Sequence, residues 1–144
     1  MINARIEITT GLDGEPVVLA LFDLDGAEVA AFAHAVKAVS AERFRMADMS
    51  VDDVLELREL TALADELGGL VALEDGLRTV VMRPARLTAC RDALASFVEA
   101  RDEAEWMREE DLEPLARVRG LVPPLEDLCA EALRAALQAR TPTQ

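Results

Sequence analysis

The chain has 144 residues, half of them hydrophobic, and a formal net charge of −13. That length suits one domain able to bury about two-thirds of its unfolded surface without disulfides or metals. Its charge argues against nucleic acid and disfavours anionic membranes as direct partners, because phosphate contacts need cations and the 28 acidic side chains outnumber the 15 of Lys and Arg, with Lys37 the single lysine. Four Phe, one Trp and no Tyr leave little for stacking on bases or sugars. A basic protein partner, by contrast, is favoured electrostatically.

No apolar run reaches the ~18 residues that a membrane span needs. The start, Met1-Ile2-Asn3-Ala4-Arg5, lacks a secretory pattern, so a cytoplasmic location is expected. Cys90 and Cys129 both fall on apolar helix faces and are predicted to be buried, reduced thiols.

Taken in chain order, Ile2–Ile8 alternates apolar and polar residues, the period of a half-buried strand. Gly11 and Asp13-Gly14 supply turn chemistry that closes a hairpin onto Val17–Phe22. A helix is expected from Gly26 to Val39, with Val29, Phe32, Ala33 and Val36 as its apolar stripe. On its other side Ala27, Ala31, Ala35 and Ala38 invite close cover, by the C-terminal helix or by a second subunit. His34, the only histidine, falls nearly opposite the stripe, at the surface or a contact rim.

Arg43–Met49 is a weaker strand candidate. Ser50 reads as an N-cap with Asp53 three positions on, opening a helix that Gly68-Gly69 should stop near Leu67. Leu70–Glu74 and Leu77–Met82, around Asp75-Gly76, make a second hairpin. A helix through Leu87, Cys90, Leu94, Phe97, Val98 and Arg101 follows, capped at Thr88. A last one is expected from Pro123 to Ala139. Asp75-Gly76, Val80-Val81 and Thr88 echo Asp13-Gly14, Val17-Val18 and Asp25, with the same step from valine pair to cap. The expected fold is α+β: an antiparallel sheet of two hairpins, four to five strands in all, with helices mainly on one face and a helical C-terminal third. Residues 1–140 should form the domain, and residues 141–144 a short flexible tail.

Chemistry concentrates at Phe22-Asp23-Leu24-Asp25-Gly26, where an apolar strand meets a helix. Read locally, Asp25 is an N-cap with Glu28 at the capping-box spacing, and Asp23 lies at the joint. The same run resembles the first motif of the haloacid dehalogenase-like phosphatases. That resemblance implies Asp23 as nucleophile, Asp25 as general acid, a magnesium ion nearby and a parallel sheet. Ala27 stands where that family has a threonine; Ser50, Arg58 and the pair Glu74-Asp75 would have to complete the site. An EF-hand loop is excluded, because its sixth and twelfth positions counted from Asp23 hold Glu28 and His34. A lone histidine supplies neither a zinc site nor a triad, and no cofactor is expected.

The remaining feature is the acidic run from Asp102 to Glu113 around the sole tryptophan. Trp106 and Met107, ringed by Glu105, Glu109, Glu110 and Asp111, have the make-up of an anchor with a charged rim. Alternatively, Trp106 plugs the edge of the core and the acids form a solvated helix face. The leading expectation is a small acidic protein-binding module, of the immunity-protein, antitoxin, chaperone or inhibitor kind. A magnesium-dependent phosphotransfer enzyme and a homodimeric scaffold are the alternatives.

Overall fold

The computed structural model describes residues 3–44, 50–71, 76 and 78–140. In chain order they form β1 (Asn3–Thr10), β2 (Pro16–Leu24), α1 (Gly26–Phe44), α2 (Val51–Val71), β3 (Arg78–Met82), α3 (Pro84–Glu103) and α4 (Glu109–Arg140). The fold is α+β, with a three-stranded antiparallel sheet in the order β1-β2-β3.

β1 and β2 are the expected first hairpin, paired from Asn3↔Asp23 to Thr10↔Pro16. Its turn is set by Gly14, whose φ of 80° suits glycine, and by Asp13, whose Oδ1 accepts the Glu15 N–H at 3.0 Å. Val18, Ala20, Phe22 and Leu24 of β2, with Val80 and Met82 of β3, form the buried sheet face. Against it lie α1, α3 and α4, and the core centres on Phe22 stacked on Phe32 at 6.2 Å, with Phe97, Leu94 and Leu125 also fully enclosed.

Both predicted capping boxes form. The Glu28 N–H donates to Asp25 Oδ1 at 2.8 Å, and Glu28 Oε1 accepts the Asp25 N–H at 3.0 Å, so α1 starts where the sequence places it. Ser50 and Asp53 make the same reciprocal pair at 3.2 and 3.0 Å. These bonds hold the Asp53 carboxyl below its ordinary range, the Ser50 N–H chief among them. Ala31 and Ala35 are buried within the chain's own packing of α1 against its neighbouring helices, whereas Ala27 is exposed.

Among the described residues three strands stand where four to five are expected. Leu70 and Val71, predicted to open a second hairpin, are the last turn of α2, while residues 72–75 and 77 lie outside the described residues. The pair Gly68-Gly69 does not stop this helix. Each glycine costs only about 1 kcal/mol in a helix, and the buried stripe Leu57, Leu60, Leu63 and Leu67 outweighs it. β3 pairs instead with β2, Phe22 facing Val80. Of the weaker strand candidate, Arg43 and Phe44 end α1, and residues 45–49 lie outside the described residues.

Thr88 is not a cap. α3 opens at Pro84, whose fixed φ and missing N–H suit a first helical position, and Thr88 Oγ1 donates back to the Pro84 carbonyl at 2.9 Å. The resemblance between the two units therefore ends at the valine pairs. The last helix begins 14 residues earlier than Pro123, at Glu109, and runs through Pro114, Pro123 and Pro124. Pro123 and Pro124 leave the carbonyls of Arg119 and Gly120 without a helical donor, but both residues are exposed and water reaches them. The stripe Leu115, Val118, Leu121, Leu125, Leu128 and Ala132 stays buried across the prolines, and that continuous packing sustains the helix.

Candidate functional site: the connector between the third and fourth helices

α3 ends at Glu103, and Ala104 leaves the helix in an extended conformation with its N–H on the Arg101 carbonyl at 3.4 Å. The connector 104–108 then crosses to α4, whose first turn carries Glu109, Glu110 and Asp111, carboxylates placed where the helix dipole favours them. Trp106 projects from this connector 72% exposed. It is therefore not a plug in the core; Met107 beside it fills that role, packing partly buried against the core. Glu105, Glu109 and Glu110 are exposed. Glu110 meets Arg108 at 3.6 Å, and neither Glu105 nor Glu109 forms an ion pair among the described residues.

Asp111 departs from this rim. It is only 6% exposed and points inward, toward α1 and the end of α3. Its Oδ1 lies 2.6 Å from His34 Nε2, and because a carboxylate only accepts, Nε2 carries the proton. Its Oδ2 accepts from Arg101 Nε at 3.4 Å. Arg101 in turn donates to Glu42 Oε1 at 2.9 Å and lies 4.2 Å above the centre of the Phe97 ring, on which the His34 ring also packs edge-on. Burial alone would raise the Asp111 carboxyl, but the His34 hydrogen bond and the Arg101 charge overcome it and hold the group below the usual carboxylate range. A polar cleft of about 390 Å³ opens over this network, bordered by Lys37, Glu42, Arg108 and Glu110. On the other side of the connector, Arg119 of α4 pairs with Asp102 of α3.

Helical spacing places His34 at the surface or at a contact rim, and its side chain is 32% exposed at such a rim. Nothing local in the sequence links it to Asp111, 77 residues away. The one available signal is that a carboxylate sits in register with the Leu115 and Val118 stripe once α4 is extended to Glu109.

Asp23 and Asp25 are brought to a different place and into different roles. Asp23 Oδ1 accepts from Thr79 Oγ1 across the sheet at 2.7 Å, and Asn3 approaches Oδ2 at 3.5 Å. Asp25 is occupied by its cap. Ser50 caps α2, Arg58 is exposed on that helix, and residues 74–75 lie outside the described residues. The sheet is antiparallel where the phosphatase resemblance implies a parallel one. Among the described residues no group of three or more His, Cys, Asp or Glu side chains is arranged to hold a metal ion. Cys90 and Cys129 are buried free thiols, and burial pushes both thiols up. No helix among the described residues is long and apolar enough to cross a membrane.

No protein-family model matches the chain, and neither the curated proteins nor the solved structures provide a match. The functional reading rests on the site itself.

Proposed function

We propose that this chain is a non-enzymatic protein-binding module whose α3–α4 connector engages a basic protein partner, with Trp106 as the anchor. The observation that carries this reading is the 72% exposure of the only tryptophan, on a segment where Glu105 and Glu109 are exposed carboxylates with no ion pair among the described residues. Tryptophan is the side chain that gains most from burial in an interface and is among the commonest binding hot spots. Glu105, Glu109 and Glu110 form its rim; Asp111, turned inward, supports the segment rather than the contact. The overall charge of −13 favours encounter with a cationic surface.

Immobilised chain exposed to a lysate of its native cell at low salt tests the proposal. One basic protein should be retained and should elute as salt approaches physiological strength and above. Trp106→Ala should abolish its capture, and joint replacement of Glu105, Glu109 and Glu110 by Gln should weaken it. A retained protein indifferent to all these changes would refute the proposed surface.

A further inference from the structure

We propose that Asp111 is a clasp: through His34 and Arg101 it fastens the α3–α4 connector to α1 and so fixes the pose of Trp106. The connector has little else to hold it. Among the described residues its backbone makes two hydrogen bonds outside the helices, Ala104 N–H to Arg101 O at 3.4 Å and Asp111 N–H to Arg108 O at 3.0 Å. Both are local and neither reaches α1. Met107 is its one apolar foothold on the core.

Asp111 supplies the long-range tie. It is the one charged side chain buried to this degree among the described residues, and each oxygen meets a different element: His34 of α1 at 2.6 Å and Arg101 of α3 at 3.4 Å. Arg101 closes the loop back to α1 through Glu42. A buried carboxylate stripped of such partners is strongly destabilised, so the connector has one favourable seat rather than a range of them.

Two further observations make the clasp a local device rather than part of the global fold. Arg119 and Asp102 bind α4 to α3 independently, and the buried stripe of α4 continues past the connector, so the helices stay docked when the clasp opens. His34 is also reached by solvent through the polar cleft, where Lys37, Glu42, Arg108 and Glu110 face the network. The clasped state presents Trp106 in a fixed orientation and the released state does not, which is preorganisation of a contact surface. This inference deepens the reading above, because the segment it fixes is the proposed surface.

The test needs no partner, so the clasp and the binding reading can fail separately. Trp106 is the chain's sole tryptophan and reports its own segment. Time-resolved anisotropy of Trp106 and amide hydrogen exchange over residues 104–111 are compared in wild type, His34→Ala and Asp111→Ala, which remove the donor and the acceptors of the clasp. Arg86→Gln serves as a control, since it breaks the ion pairs with Glu59 and Glu66 away from the connector. Both clasp variants should enlarge the fast local motion of Trp106 and speed exchange over 104–111 about tenfold, with exchange in α1 and the distal half of α4 unchanged. Arg86→Gln should alter neither readout. If Asp111→Ala does not fold, His34→Ala, at a partly exposed position, carries the comparison alone. Connector exchange and Trp106 motion that match wild type in a folded His34→Ala protein would overturn the proposal. So would changes that spread evenly over the whole chain.

Discussion

Replacing Asp25 with Ala distinguishes a carboxylate that builds the fold from one that performs chemistry. The substitution removes the 2.8 Å bond that the Glu28 N–H donates to Asp25 Oδ1 and takes a negative charge from the start of α1; the reciprocal 3.0 Å bond to the Asp25 N–H loses its geometric support. Loss of an N-cap of this kind costs about 1 kcal/mol, and the lost interaction with the helix dipole adds roughly 0.5 kcal/mol at an exposed site. For a chain of this length, that total corresponds to a fall in Tm of about 3–6 °C. Thermal and urea unfolding followed by circular dichroism measure it, with the urea m-value expected to be unchanged. Asp25→Asn keeps the accepting oxygen and should recover most of the loss. An Asp25→Ala protein as stable as wild type would refute the capping account. Magnesium-dependent hydrolysis of p-nitrophenyl phosphate by wild type, lost in Asp23→Asn at unchanged Tm, would move the functional site to the strand–helix junction.

Other consequences are equally direct. A double-mutant cycle on His34 and Asp111 should show a coupling of about 1–2 kcal/mol, a charge-assisted hydrogen bond discounted for the exposure of His34; additive effects would deny the interaction. The Asp111 carboxyl is held below the ordinary range, so its stabilising contribution is complete above about pH 4 and disappears as pH falls through its lower folded value. The stability gap between wild type and Asp111→Asn in urea should therefore be flat near neutrality and narrow only under acid. Gly14→Ala forces a φ of 80° on a residue with a Cβ and should cost about 1 kcal/mol by thermal melting, although the added methyl meets no neighbour. Cys90 and Cys129, both buried, should resist iodoacetamide in the folded chain and react fully in urea.

Local signals were the legible ones. Asp25 with Glu28 and Ser50 with Asp53 each carry a capping pair within four residues, and Asp13-Gly14 between alternating runs specifies its own turn. The features that sequence missed are settled by packing at a distance. Leu57, Leu60, Leu63 and Leu67 bury one face of α2 firmly enough to carry it through Gly68-Gly69, and Leu115 to Ala132 does the same for α4 across Pro123-Pro124. Thr88 has the residue type of a cap, yet Pro84 claims the helix start four residues earlier. At the candidate site, the composition around Trp106 was readable from the run of acids. That Asp111 alone among them turns inward was not, because its partners His34 and Arg101 come from two other helices. The carboxylates at 23 and 25 illustrate the reverse: a short motif rich in chemical suggestion whose atoms are engaged by Thr79 and Glu28.

The most direct test of the account is the Kd of the partner captured from lysate for wild type and for Trp106→Ala, measured by titration calorimetry at two salt concentrations. Removing the indole should weaken binding at least about thirtyfold, the size of a hot-spot truncation near 2 kcal/mol, and binding should be weaker at the higher salt. Equal affinities for the two proteins, at either salt concentration, would contradict it.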